Sequence, residues 1–111
     1  LILGPSAEEK ELIGTWENYV DGLEFKDNGD LIHQGGLYDG WSVSGSTITF
    51  TDSSDPDYEW KYKYEVTGQI MFINGLDEDG DVITGECVVM VKKGYDIEEE
   101  YEKVIDPSWC T

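Results

Sequence analysis

Three kinds of side chain in this sequence have types and spacings suited to chemistry: a single histidine, two cysteines and a crowd of carboxylates. His33 stands without a partner motif. No Gly-x-Ser-x-Gly elbow, phosphate-binding loop or Cys–His pairing accompanies it, and a lone histidine in a strand is more often a packing or surface residue than a base. Carboxylate pairs are so plentiful that no one pair marks an acid–base site. No catalytic residue is therefore assigned, a non-enzymatic role is expected, and no motif calls for a cofactor. Cys87 and Cys110 are an even pair. With only one histidine they cannot complete a zinc ligand set. A disulfide between them is expected, with two free thiols as the alternative. It would close a loop of about 20 residues, contribute roughly 3 kcal/mol, and require an oxidising compartment.

The carboxylates gather in two short segments, Asp52, Asp55 and Asp57 in one and Asp77, Glu78, Asp79 and Asp81 in the other. Clustered carboxylate oxygens suit calcium, which makes the six aspartates weak calcium-type ligand candidates. The spacing is not that of an EF-hand loop, however. Counting from Asp77, Gly80 falls at position 4 instead of 6, and Val88 occupies the position of the bidentate glutamate. Solubility charge on turn residues is the favoured reading. The whole chain carries 25 acidic against 7 basic side chains, all seven of them lysines, for a net charge of −18. Such a balance excludes a binder of phosphate backbones and opposes docking on anionic lipid. It also hints, on composition alone, at a salt-adapted source.

The elements that must position these residues follow from length and patterning. A chain of 111 residues is one domain's worth. Leu, Ile, Val and Phe make up about 24% of it, above the roughly 20% typical of disordered charged chains. Four Trp and seven Tyr point the same way. Ser6 and Glu9 fit a capping box that opens a short helix running to Ile13. Eight strands then follow, with turn signals between them: Thr15–Val20, Leu23–Lys26, Leu31–Gln34, Leu37–Ser44, Thr47–Thr51, Tyr58–Thr67, Ile70–Asn74 and Val82–Lys93. The sixth is the clearest, with Tyr58, Trp60, Tyr62, Tyr64 and Val66 alternating with charged residues, which predicts one buried and one wet face. A weak repeat aligns Trp41–Phe50 with Tyr64–Ile73. It predicts two hairpins with two-residue loops, in which Val43 shares a face with Ile48 and Val66 with Met71.

Short connections and no crossover lengths mean a meander. Eight antiparallel strands with one apolar face hide their edges best by closing, so the predicted fold is an all-β up-and-down barrel, with an open two-sheet sandwich as runner-up. The tail reads as an amphipathic helix with a capping box at Asp96–Glu99 and a stripe of Ile97, Tyr101, Val104 and Ile105, stopped by Pro107. It should lie on the barrel wall and return Trp109 and Cys110 towards the eighth strand; a ninth strand is the alternative.

Leu12-Ile13-Gly14-Thr15-Trp16-Glu17 resembles the Gly-x-Trp start of the lipocalin and fatty-acid-binding-protein superfamily, the calycins. The resemblance covers the layout of residues 12–93, and is closest to the small prokaryotic lipocalin-like domains. It implies that Gly14 allows a tight entry and that Trp16 plugs one end of the barrel. It also implies a cation from the last strand over that Trp, for which Lys92 and Lys93 are the candidates. The family's Thr-Asp-Tyr motif is absent, with Val66-Thr67-Gly68-Gln69 in its place.

In a meander alternate turns share an end, so both acidic segments and Asp21 should crowd the rim opposite Trp16. A negative mouth disfavours fatty carboxylates and favours neutral or cationic ligands. Phe25, Trp41, Phe50, Tyr58, Trp60, Tyr62 and Tyr64 are the candidate ligand wall. They serve as readily to fill a barrel this small. The expected function is thus a monomeric, non-catalytic module binding a small apolar or aromatic ligand, and the alternative is a structural or interaction domain with a filled core. Residues 1–5 read as a linker or anchor remnant before a single domain over 6–111. That reading and the expected disulfide place the domain outside the cytoplasm, secreted or tethered.

Overall fold

Strict alternation and paired glycine turns dictate a meander, and the computed structural model, which describes residues 7–36 and 38–110, contains one. Helix α1 (Ala7–Leu12) leads into strands β1 (Gly14–Glu17), β2 (Gly22–Phe25), β3 (Leu31–His33) and β4 (Gly40–Ser44). Strands β5 (Thr47–Thr51), β6 (Glu59–Thr67), β7 (Ile70–Gly75) and β8 (Val88–Lys92) follow, then helix α2 (Ile97–Tyr101). All eight strands form one antiparallel sheet in the order β3-β2-β1-β8-β7-β6-β5-β4. The first strand meets the last through Trp16 opposite Lys92 and Glu17 opposite Val91. The result is a nearly closed barrel. Its seam lies between β3 and β4, where one bridge, Asp30 to Gly40, stands in for a ladder. The Leu31 amide, donating to Asp39 O at 2.9 Å, and the Trp41 amide, donating to Gly29 O at 3.0 Å, hold the seam together.

Both expected two-residue hairpins form. Ser44 pairs with Thr47 across Gly45-Ser46, and Thr67 with Ile70 across Gly68-Gln69. Gly45 and Gly68 each take φ +60° at the first central position, the type II′ geometry that matches strand twist. Val43 therefore lies opposite Ile48, and Val66 opposite Met71.

The inner face is a packed core. Trp16, Phe25, Ile48, Phe50, Met71 and Met90 are each at most 2% exposed. The Trp16 indole donates to Leu12 O at 2.9 Å, tying α1 to the sealed pole. Gly14 makes the entry with φ +128°, a conformation that L side chains rarely adopt.

Every residue of β7 is buried, because its outer face is covered as well. Ile70 and Phe72, with Val91 of β8, pack beneath Ile97, Val104, Trp109 and the two cysteines. Cys87 and Cys110 form a disulfide with their Cα atoms 5.2 Å apart. The tail thus returns to the barrel wall as expected.

Element ends depart from the sequence reading for local reasons. The first strand stops at Glu17, not Val20, because Asn18 Oδ1 accepts from the Val20 and Asp21 amides at 2.9 and 2.8 Å. That side chain offers the backbone a turn in place of a ladder. Helix α1 ends at Leu12, and β4 begins at Gly40; Ser6, Leu37 and residues 1–5 lie outside the described residues. The largest correction concerns β8, which begins at Val88 instead of Val82. Ile83 is drawn away by its amide bond to Gly75 O at 3.0 Å and by the Asn74 side-chain amide, which donates to Ile83 O at 2.9 Å. Helix α2 ends at Tyr101 and leaves Ile105 89% exposed. Lys103 and Val104 donate to Glu100 O and Tyr101 O, an i to i−3 tightening that winds the helix down. Its start is as expected: Asp96 accepts from the Glu98 and Glu99 amides.

Because the disulfide closes a loop across β8, α2 and the tail, its reduction should lower unfolding free energy by about 3 kcal/mol. Urea denaturation with and without reductant measures this; an unchanged midpoint would contradict it.

Candidate functional site

The four connections opposite Trp16 meet at one rim through side chains that the strands deliver there. His33, at the end of β3, places Nε2 3.0 Å from Asp21 Oδ2 in the β1–β2 turn. Asp39, in the β3–β4 connection, accepts from the Ser53 amide at 2.9 Å and from the Ser53 hydroxyl. Those two bonds hold the Asp39 carboxyl below the usual carboxylate range.

Within this rim lies a cavity of about 190 Å³. Leu23, Phe50, Ile73, Val88 and Met90 make its apolar walls, while Asp21, His33, Tyr38 and Tyr62 bring polar atoms to it. Tyr38 closes one side. Its ring stacks on Phe50 at 4.9 Å and 20°, meets the Trp60 ring edge-on at 5.0 Å and lies 5.1 Å from His33. The Tyr38 and Tyr62 hydroxyls are 3.0 Å apart. Burial pushes the Tyr62 phenol well above the ordinary tyrosine range; the Tyr38 bond and the nearby Glu86 and Asp21 charges add to this.

The seven expected wall residues divide into three groups. Phe25, Trp41 and Tyr64 fill the depth of the barrel. Phe25 lies 5.0 Å edge-on to Trp41, whose indole donates to Lys26 O at 2.9 Å, and the Tyr64 hydroxyl reaches Gly45 O at 3.3 Å. Phe50 and Tyr62 line the mouth cavity. Tyr58, 56% exposed, and half-buried Trp60 stand instead on a separate rim groove of about 610 Å³. The sequence reading buried that whole face of the sixth strand. The upper part stays open because Glu59 and Trp60 have β5 partners, whereas β7 ends at Gly75, opposite Tyr62. Tyr38 is the residue whose role sequence reasoning missed. The expected strand Leu37–Ser44 put it on the face opposite Trp41 and Val43, whereas β4 begins only at Gly40 and frees Tyr38 from that alternation.

The remaining candidates fall as follows. Lys92 is the cross-strand neighbour of Trp16, with its Cε 3.7 Å from where a Gly14 Cβ would sit, and Lys93 is exposed. Among the described residues the cation–π pair is Lys63 over Trp109 at 5.3 Å. Carboxylate oxygens of Asp77, Asp79 and Asp81 lie within 4.8 Å of one another, all exposed. Asp77 Oδ1 already accepts from the Asp79 and Asp81 amides at 2.9 Å each. Asp52 Oδ1 accepts from the Ser54 amide in the same manner, and among the described residues Asp52, Asp55 and Asp57 belong to no such convergent group. These aspartates build turns.

The chain matches no family model, no curated protein and no solved structure.

The Tyr62 shift carries a pH dependence. Its folded-state pKa lies above the unfolded value near 10, so its contribution is intact below pH 10 and is lost as pH rises beyond it. Tyr62→Phe should flatten the loss of stability above pH 10, read from denaturation midpoints between pH 8 and 11. An unaltered slope would contradict it.

Proposed function

We propose that this chain is a non-catalytic, lipocalin-like binding module that takes one ring-sized neutral or cationic molecule at the mouth of its barrel. The observation that carries the reading is the apolar cavity of about 190 Å³ rimmed by the converging polar groups of Asp21, His33, Tyr38 and Tyr62. A cavity of roughly 150 Å³ already accepts benzene, so the ligand is one ring or a short branched chain. A fatty acyl chain does not fit, and the acidic rim disfavours its carboxylate. The placement among lipocalin-like barrels is supported by Gly14 at positive φ ahead of a buried Trp16, by the eight-strand meander and by Lys92 opposite that Trp. The disulfide agrees with a location outside the cytoplasm.

A second reading, an interaction domain with no ligand, is favoured by the packing of Phe25, Trp41 and Tyr64 through the depth of the barrel. The two readings separate in one experiment. Saturation-transfer NMR with toluene, cyclohexylamine and octanoate should give saturable signals for the first two and none for octanoate. Val88→Trp, which extends a partly exposed wall residue into the cavity, should weaken the toluene signal at least tenfold while the far-UV spectrum is kept. No saturable signal from any probe would leave the interaction domain standing.

A further inference from the structure

The rim groove beside the mouth has a composition that the cavity reading does not use. Tyr58, Trp60 and Tyr62 present one aromatic wall, alternate residues of one strand face, with the first two rings 4.9 Å apart. Across from them the β7–β8 connection contributes Asp77, Glu78 and Glu86. The floor is Gly75. A Cβ there would sit 3.1 Å from Glu86 Oε2 and 3.7 Å from both Ile83 Cδ1 and the Tyr62 ring. Gly75 has no positive φ, so its missing side chain keeps space open and does not relieve the backbone.

We infer that this groove binds an alkylated ammonium group, its methyls against the Tyr58–Trp60 rings and its charge facing Glu86 and Asp77. Aromatic faces attract a cation through their quadrupole, and a quaternary head group surrenders little hydration when it leaves water. The groove is lined by four carboxylates, with Glu59 the fourth, and one lysine, Lys61. An anion is repelled there. A neutral ring would bind the wall and leave the carboxylates unanswered. The far wall is anchored for this purpose: Asn74 donates to both Gly75 O and Ile83 O, and Cys87, the neighbour of Glu86, is held by the disulfide. The site is distinct from the mouth cavity, with which it shares Tyr62.

The test uses choline and its uncharged isostere 3,3-dimethylbutan-1-ol, with the Trp60 indole resonance in ¹H–¹⁵N NMR as the readout. Choline should shift that resonance saturably and the alcohol should bind at least tenfold more weakly. Gly75→Ala and Tyr58→Ala should each weaken choline at least fivefold. Tyr58 is exposed enough that its variant keeps the fold if the glycine variant does not. Glu86→Gln should weaken choline more than Glu102→Gln, which removes an equal charge from the tail. Equal affinity for choline and the alcohol, or equal effects of the two glutamate variants, would overturn the assignment and leave only attraction to a negative surface. Loss of choline binding with toluene binding retained would sink this site and spare the cavity.

Discussion

Continuity of the sheet between its first three strands and the rest depends on one narrow joint. Strands β1 and β8 share two residue pairs, and at that joint the Trp16 ring is buried against the core while its nitrogen is bonded to Leu12 O. Removing a buried ring of this kind costs about 3–5 kcal/mol, a large share of the stability of a small domain. The joint also fixes which side of β8 faces inward. With Lys92 opposite Trp16, Met90 alternates into the core and partly exposed Val88 onto the cavity wall, while Val91 and Val89 turn out beneath the tail. The mouth cavity exists because Val88 lands there, and the second core exists because Val91 does not.

The barrel is asymmetric along its axis for a physical reason. Below Phe50 the depth of the barrel is packed with Phe25, Trp41 and Tyr64, with Phe25 edge-on to Trp41. At the opposite rim β6 outlasts β7, and the β7–β8 connection folds over the exposed flank instead of continuing the ladder. Tyr38 and the Asp21–His33 pair fill the gap left by the β3–β4 seam. Rim carboxylates cost little because they are exposed and screened over about 8 Å at physiological salt, and several of them accept the turn amides that end the strands.

Much of this was legible in the sequence. Turn signals between short apolar runs carried the strand count, the alternation of Tyr58–Val66 and the two glycine hairpins carried the register, and the Gly-x-Trp resemblance carried the expectation of Trp16 at one pole. The cysteine pair left a disulfide or two free thiols open, and Cys87 and Cys110 form the disulfide. What escaped was decided by competition between local options. Asn18 cut short β1, and Asn74 with Cys87 pulled residues 83–87 out of β8. Inward parity of the sixth strand holds through Trp60, which packs against the core, but parity does not reveal how far a neighbouring strand extends, and Tyr58 stands exposed beyond it. Tyr38 escaped because the strand expected over Leu37–Ser44 begins only at Gly40, so its alternation does not govern that side chain.

The central claim is a barrel sealed at the Trp16 pole and accessible at the other. Hydrogen exchange of the four indole protons measures it directly. Trp16 and Trp41, bonded to Leu12 O and Lys26 O, should exchange only with global unfolding, and Trp60 should exchange many orders of magnitude faster. Rapid exchange at Trp16, matching that at Trp60, would contradict the account.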